Sequence, residues 1–419
     1  MLYSIFPPDS LDTSIKLPSS KSISNRALVI QALSGGGIAP QNLSVCDDTE
    51  VMVKALKERS ETIDIKAAGT AMRFLTAYFA ATPGEHILTG TDRMKQRPIG
   101  LLVDALRYLG ADITYLGKEG FPPLKVKGRG LEGGRIEIPG NISSQYISAL
   151  LMIGPVLAKG LELKMTGTIV SRPYIELTLW MMREFGADAD WSDSDTLSVA
   201  PKPYKRSSYL IESDWTAASY WYEIMALESG MESSVRLDGL MDGSKQGDSV
   251  VRYIFSLIGV KSHFADKGSL TPSTVRLKKA QTSLPRLDYD FVSSPDLAQT
   301  VAVTCALLEI PFKFTGLASL RIKEADRIEA VRAELLKLGY VLSDDDNDIL
   351  EWNGEKCEPS FEPIKTYDDH RMAMAFAPAA IRFPGIKIAD PGVVTKSYPG
   401  FWDDLRHAGF KIVEQNNKQ

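Results

Sequence analysis

Apolar and polar positions follow one recurring order along this chain. "LVDALRYLGADITY", "LWMMREFGADADW", "VVRYIFSLIGVKSH", "AVRAELLKLGYVL" and "WDDLRHAGFKIV" each read as an amphipathic helix, a glycine and a strand. Their glycines, Gly110, Gly186, Gly259, Gly339 and Gly409, recur at roughly 70 to 80 residues, a longer period than that of simple solenoids. Each glycine suits the left-handed position that ends a helix. The strand then often turns through polar residues into a second strand, as in "ADITYLGKEGFPPLKV" and "VLSDDDNDILEWNG". "MVKALKERSETIDI", from Met52, is a sixth, degenerate copy without the glycine. Helix-glycine-strand is a common connection, but the even spacing and recurring hairpins favour true repetition of an α-β-β unit. The last copy stops after "FKIVE", and the chain opens on an isolated strand, "LYSIF". Both ends are therefore expected in one domain, with an inserted middle forming the other.

Candidate chemistry lies where helices begin. In "LPSSKSISNRAL", Pro18, Ser19 and Ser20 read as the start of a helix that Gly35-Gly36-Gly37 stops. Lys21 then falls in the first turn, where the helix dipole is already positive and an acid is expected. Lys21, Ser22 and Arg26 beside a helix N-terminus describe an anion site of phosphate or carboxylate type; a solvated polar face is the plainer alternative. "AAGTAMRFL" places Gly69-Thr70 at a strand-to-helix turn, where backbone N–H groups can approach an anion, although ordinary capping reads the same way. "DRMKQRP" carries Arg93, Lys95 and Arg97 without a carboxylate inside the basic run, and a surface loop accounts for it equally. "RIKEADRIEAV" sets Lys323 and Arg327 four apart with Glu324 and Asp326 between them, a pattern that usually marks salt bridges on an exposed helix. "YDDHRMAMAFAPAA" is sharper, because Asp368, Asp369, His370 and Arg371 precede a helix apolar enough to be buried, and such residues tend to line a cleft. Asp296, in "SSPDLAQTVAVTCALL", sits at the same kind of place.

Composition narrows the class. The 419 residues suffice for two domains. A net charge of -5 argues against nucleic acid as the main partner. The best apolar run, "ISALLMIGPVLA", is broken by Gly154-Pro155 and is too short for a membrane span. The N-terminus has no basic n-region or cleavable apolar core, so a cytoplasmic protein is expected. Cys46, Cys305 and Cys357 are scattered, which suits a reducing compartment and suggests neither zinc nor disulfides. No coiled-coil or dimer motif stands out, and a monomer is expected.

"SSKSISNRAL", "GTAMR", "LTGTDRMKQRPIGLLVDAL", "SSQYISALLM", "SRPYIELTL", "KEADR", "DDHRMAMAF" and "KSYPGF" follow in that order across most of the chain. On these motifs the chain resembles the 3-phosphoshikimate 1-carboxyvinyltransferases, the 5-enolpyruvylshikimate-3-phosphate (EPSP) synthases. The resemblance implies an α/β (α+β) fold, a two-domain inverse α/β barrel in which each domain holds three βαβαββ units, six in all. It implies a discontinuous domain of residues 1–19 and 213–419, an inserted domain of residues 20–212, and an active site in the cleft between them. The implied reaction moves the enolpyruvyl group of phosphoenolpyruvate to the 5-hydroxyl of shikimate 3-phosphate and releases phosphate, with no cofactor or metal.

By the same resemblance, Lys21, Ser22, Arg26, Ser143, Ser144, Gln145, Ser171, Tyr174, Asp296 and Lys323 hold shikimate 3-phosphate. Lys21, Gly69, Arg97, Gln145, Arg327, Arg371 and Lys396 hold phosphoenolpyruvate. Asp296 is the implied base for the 5-hydroxyl proton and Glu324 the best candidate to protonate the methylene carbon. His370 orients Glu324 or shares that role, and Lys21 assists phosphate departure. Three positions depart from the family pattern: Ala67 and Ser319 where asparagine is usual, and Phe74 where proline is usual. Altered substrate and inhibitor affinity is expected from them. Gly69 is where a methyl group would crowd glyphosate, so inhibition is expected. The nearest rival, the UDP-N-acetylglucosamine enolpyruvyl transferases, typically carries a reactive cysteine in the inserted domain, and none occurs between Cys46 and Cys305. A non-catalytic anion-binding relative is the other alternative; the joint presence of Lys21, Asp296, Glu324, His370 and Arg371 argues against it.

Overall fold

A computed structural model describes residues 1–230, 232–280, 283–345 and 348–415. The turn of "VLSDDDNDILEWNG" at positions 346–347 lies outside the described residues. The chain divides into two compact units, one of Met1–Ser19 together with the chain from Glu212 onward, the other of Ser20–Ile211. The boundary falls before Glu212, one residue ahead of the expected place, and Glu212 accepts a hydrogen bond from Ser244 Oγ at 2.6 Å in the unit of the chain ends.

One motif builds most of both units. Strands Thr62–Asp64 and Gly84–Thr89 pair in parallel around the helix Gly69–Ala81. The helix Gly100–Tyr108 then leads into the antiparallel hairpin Asp112–Tyr115 and Leu124–Gly128, whose second strand returns to lie beside Gly84–Thr89. The same order of strands, first-second-fourth-third, recurs in the sheet from Gly134–Pro139 to Thr196–Val199. It recurs again in the sheet from Leu287–Asp290 to Ile349–Trp352.

Two sheets show how the chain ends meet. Strand Asp12–Lys16 opens a repeat whose second strand, Ser234–Leu240, comes only after the whole inserted unit. In the last repeat, Leu2–Phe6 is the fourth strand, antiparallel to both Ile386–Ala389 and Lys411–Gln415. The sixth repeat is reduced. Among the described residues it consists of the helices Lys21–Leu33 and Asp47–Glu58 and one parallel bridge between Gln41 and Leu210. The strand after Asp47–Glu58 does not form a hairpin of its own because it opens the neighbouring sheet.

The five repeat glycines all take positive φ, from 80° at Gly186 to 101° at Gly110, two residues past the last helical residue. In the degenerate copy Arg59 adopts that conformation instead, at φ 46°, and its Nη2 donates to Pro83 O at 2.7 Å.

Two classes of helix alternate. The second helix of each repeat is amphipathic: Gly100–Tyr108 buries Leu102, Val103, Ala105 and Leu106, and Phe401–His407 buries Phe401, Trp402 and Leu405. The first helices, Gly69–Ala81, Ser144–Ile153, Trp215–Leu227, Ala298–Leu307 and His370–Phe376, are buried along almost their whole length. They form the centre of two separate hydrophobic cores, one in each unit. Their N-termini follow the carboxyl ends of strands, where open sheets bind ligands. Among the described residues, no helix is long and apolar enough to cross a membrane.

Candidate functional site

In the inserted unit the expected residues gather at helix N-termini. Lys21 is the first residue of its helix, and the Ser20 side chain accepts the Ile23 N–H at 3.5 Å. That first turn has no acid of its own. The counter-charge comes from the next helix, where Asp48, 3% exposed, receives Lys21 Nζ at 3.2 Å. Arg26 points inward instead. It is buried, with Nε on Thr178 Oγ1 at 2.8 Å, Nη2 on Ser148 Oγ at 3.1 Å and Nη1 on Ser22 O at 3.0 Å. Its guanidinium lies 5.4 Å from the centre of the Phe74 ring, a cation–π contact that proline could not make. Burial pulls Arg26 down to about 10, slightly opposed by Tyr174.

Gly69 begins its helix with no side-chain cap. Arg97 lies against it: a Cβ on Gly69 would stand 2.7 Å from Arg97 Nη1 and 2.8 Å from Nη2. "DRMKQRP" is exposed along most of its length, including Arg93 and Lys95, but it is not a plain loop. It forms the short helix Asp92–Lys95 and buries Arg97. Arg73, a buried residue the sequence did not single out as functional, ties the two segments together with hydrogen bonds to Gly69 O at 3.1 Å and Pro98 O at 3.0 Å. Ser143 caps the helix Ser144–Ile153, accepting the Gln145 N–H at 3.4 Å, and Gln145 Nε2 donates to Thr70 Oγ1 at 3.2 Å. Ser171 takes φ 54° before the helix Arg172–Glu184, and the Tyr174 N–H returns to Ser171 O at 3.1 Å. Helix N-termini with Lys21 and Arg97 beside them, that of Gly69–Ala81 having no side-chain cap, suit anionic ligands.

The unit of the chain ends holds a denser cluster. Asp296 lies in the turn Pro295–Leu297 that opens the buried helix Ala298–Leu307. Its Oδ1 meets Arg327 Nη1 at 2.9 Å and Lys323 Nζ at 3.6 Å, and its Oδ2 meets Arg371 Nη2 at 2.9 Å. Glu324 takes Arg327 Nη2 on Oε2 at 2.9 Å and Lys396 Nζ on Oε1 at 2.6 Å. Arg327 Nε is held by Asp369 Oδ2 at 2.6 Å. Asp369 also caps the helix His370–Phe376 by accepting the Arg371 N–H at 2.9 Å. His370 is buried beside it, with Nδ1 3.5 Å from Asp369 Oδ1.

"RIKEADRIEAV" therefore does not form an exposed salt-bridged face. The helix starts only at Arg327, capped by Asp326, and Lys323 and Glu324 precede it after the turn Ala318–Ile322, which contains Ser319. Arg327 is 2% exposed. Tyr367 and Asp368, both at φ 54°, set the backbone just ahead of Asp369. The Tyr367 hydroxyl anchors that strained turn to the buried Glu334 carboxylate at 2.6 Å.

Electrostatics within the cluster favour fixed charges. Burial pushes the Asp296 carboxyl up, but Arg371, Lys323 and Arg327 together outweigh it and hold Asp296 well below the usual carboxylate range. Burial pulls Arg327 down, and Asp369, Glu324 and Asp296 raise it above its ordinary value. Burial lowers Lys323, with Asp296 opposing. Lys323, Arg327, Arg371 and Lys396 are four cations against the three carboxylates Asp296, Glu324 and Asp369. The surplus is positive and suits an anionic ligand. Asp48 and Arg73 join the cluster of the inserted unit without having been expected there, and Asp369, expected only to line a cleft, holds Arg327 in the unit of the chain ends. Asp369 stands inside the quoted "DDHR"; nothing in "CDDTE" tells that Asp48 faces a lysine.

Comparison with known proteins agrees with these features. A model of the family described as EPSP synthase (3-phosphoshikimate 1-carboxyvinyltransferase) matches residues 5–60 and 58–405. A 3-phosphoshikimate 1-carboxyvinyltransferase from Bacteroides fragilis is 58% identical over 413 residues, covering 98% of this chain and 99% of the relative. One from Photobacterium profundum is 34% identical over 427 residues, covering 95% and 97%. Among solved structures, EPSP synthase from Acinetobacter baumannii superposes with a TM-score of 0.75 at 21% identity, covering 99% of this chain and 100% of that one. The enolpyruvyl transferase NikO from Streptomyces tendae superposes with a TM-score of 0.74 at 16% identity, covering 99% and 98%. At those identities the two structures show a shared fold.

Proposed function

Because the chain belongs to the EPSP synthase (3-phosphoshikimate 1-carboxyvinyltransferase) family, we propose that it joins phosphoenolpyruvate to the 5-hydroxyl of shikimate 3-phosphate and releases inorganic phosphate. The observation that carries this reading is the buried cluster in which Arg327, Arg371, Lys323 and Lys396 surround Asp296 and Glu324. Such a cluster can grip a carboxylate and a phosphate while keeping two acid–base groups beside them. The residues of both units act on one pair of substrates: Lys21, Ser22, Arg26, Ser143, Ser144, Gln145, Ser171 and Tyr174, with Asp296 and Lys323, on shikimate 3-phosphate; Arg327, Arg371 and Lys396, with Lys21, Gly69, Arg97 and Gln145, on phosphoenolpyruvate.

The reaction is addition followed by elimination. Asp296 takes the 5-hydroxyl proton as the oxygen attacks C2 of phosphoenolpyruvate. The C2–C3 electron pair takes a proton at C3 from Glu324, which enters this step as the protonated acid once phosphoenolpyruvate has drawn Arg327 and Lys396 from it, with His370 sharing the role, and a tetrahedral intermediate forms. Loss of a C3 proton to a carboxylate then restores the double bond and expels phosphate from C2, with Lys21 neutralising the departing oxygens. The enzyme works as a cytoplasmic monomer without cofactor or metal in this reading, and light scattering checks the monomer.

The deciding measurement is phosphate release from phosphoenolpyruvate with shikimate 3-phosphate or UDP-N-acetylglucosamine as acceptor. Release with shikimate 3-phosphate alone is expected. Release with the sugar nucleotide alone would overturn the reading.

Gly69→Ala gives a second expectation. Its methyl meets the far end of a flexible side chain, the Arg97 guanidinium, so Arg97 gives way and the fold stands. Misplacing one substrate-binding cation should raise KM for phosphoenolpyruvate by about ten- to a hundredfold. Glyphosate should inhibit the wild type and lose potency against Gly69→Ala. Steady-state kinetics with shikimate 3-phosphate saturating decides both, and an unchanged KM removes the Arg97 contact from the account.

A further inference from the structure

The guanidinium of Arg327 has one edge locked and the other occupied. Its Nε is held by Asp369, whose side chain is 0% exposed, while Nη1 and Nη2 face Asp296 and Glu324, whose side chains keep 18% and 14% of their exposure. The two Nη atoms form the edge that receives a carboxylate or phosphate in bidentate recognition. Arg371 and Lys396 likewise spend a donor on Asp296 and Glu324, at 2.9 and 2.6 Å. Every cation assigned to phosphoenolpyruvate in this unit is therefore already engaged by a carboxylate of the same chain.

We infer that Asp296 and Glu324 occupy the donors that the substrate anion uses, so that phosphoenolpyruvate must displace them from Arg327, Arg371 and Lys396, and that this displacement frees Asp296 to act as the base. This rests on the reading proposed above. Asp369 stays in place during the exchange because it is fully buried and accepts three hydrogen bonds, from Arg327 Nε at 2.6 Å, Arg327 Nη2 at 3.4 Å and the Arg371 N–H at 2.9 Å. It keeps the guanidinium oriented while its partners change. An Asp296 surrounded by three cations is a weak proton acceptor. An incoming phosphate and carboxylate take those cations' donors and restore its basicity only when the second substrate is present.

The prediction runs against the usual effect of removing a site residue. Without any acceptor, phosphoenolpyruvate binds wild-type enzyme weakly, because it competes with internal carboxylates. In Asp296→Asn the competitor loses its charge, and hydrogen bonds to charged groups are the strong ones, so binding of phosphoenolpyruvate alone should tighten at least about tenfold while turnover is lost. Glu324→Gln should tighten it as well, through Lys396 and Arg327, and decides the matter should Asp296→Asn fail to fold. Isothermal titration of phosphoenolpyruvate into the folded proteins reads the effect. Equal or weaker binding in the folded variants, beside a wild type that turns over both substrates, overturns the inference and leaves the proposed reaction standing. A wild type without turnover overturns the proposed reaction, and the inference with it.

Discussion

Asp369→Ala should be the most damaging single substitution in the unit of the chain ends, for stability and turnover together. The carboxylate is fully buried and holds Arg327 Nε at 2.6 Å and the Arg371 N–H at 2.9 Å. Removing it leaves Arg327 Nε without its partner in a guanidinium that is itself 2% exposed, with Asp296 and Glu324 still on its other edge. Breaking one side of a buried pair costs about 3–5 kcal/mol, and losing the cap of the helix His370–Phe376 adds about 1 kcal/mol. Arg327 and Arg371 then lose their orientation, so kcat/KM for phosphoenolpyruvate should fall by about a hundredfold or more. Asp369→Asn separates the two roles, since the amide oxygen can still cap the helix but carries no charge for Arg327. Its loss of stability should be smaller, with most of its kinetic defect in KM for phosphoenolpyruvate. Urea denaturation and steady-state kinetics on both variants test this. Wild-type values for Asp369→Ala would remove Asp369 from the account of the site.

Asp369 was legible as a cleft residue from its place before a buried helix, but its bond to Arg327 was not, and the difference shows what a linear pattern can carry. The amphipathic helices that open the repeat pattern are the second helices of their repeats, and their apolar stripe at helical spacing is legible without a structure. The buried first helices have no polar face and hence no period; only the motifs at their N-termini betray them. The repeat glycines were readable because a left-handed helix end needs them. Arg59 does the same work in the degenerate copy and gives no such signal.

Charge patterns were less transparent. Lys323 and Arg327 four apart look alike on one exposed helix and where Lys323 precedes the helix and Arg327, buried, begins it. A sharper cue was present: Asp326 with Glu329 three residues on is the spacing of a helix start, and the Asp326 side chain does accept the Glu329 N–H. Read that way, Lys323 and Glu324 fall outside the helix. Pairings between distant segments had no local signal at all. Lys21 with Asp48, Arg73 with Pro98 and Arg26 with the Phe74 ring depend on how separate helices pack. The substitution at Phe74 illustrates the point, since its contact with a buried cation emerges only from the fold.

Glu223→Met should stabilise the protein, and by more at alkaline than at acid pH. Glu223 sits in the helix Trp215–Leu227 at 0% exposure, and neither carboxyl oxygen finds a hydrogen-bond partner among the described residues. Burial pushes its pKa well above the ordinary carboxyl value. A raised folded-state pKa means that folding favours the protonated acid. The native state is therefore least penalised below the unfolded pKa, and stability is lost progressively as pH rises from there toward the folded value. Methionine fills similar space, carries no charge and asks for no hydrogen bond. Relief of an unsatisfied buried polar group is worth about 1–3 kcal/mol, or about 2–4 °C in Tm for each kcal/mol in a unit of this size. Glu223→Gln should gain less, because its amide remains unpaired, yet it too should abolish the pH-dependent part. Thermal unfolding of wild type and both variants between pH 5 and pH 8.5 provides the measurement. A wild-type deficit that widens with pH and vanishes in both variants identifies Glu223 as its source. A constant deficit would instead mean that the carboxyl is ionised in the folded state, as it is in the unfolded one, across the range.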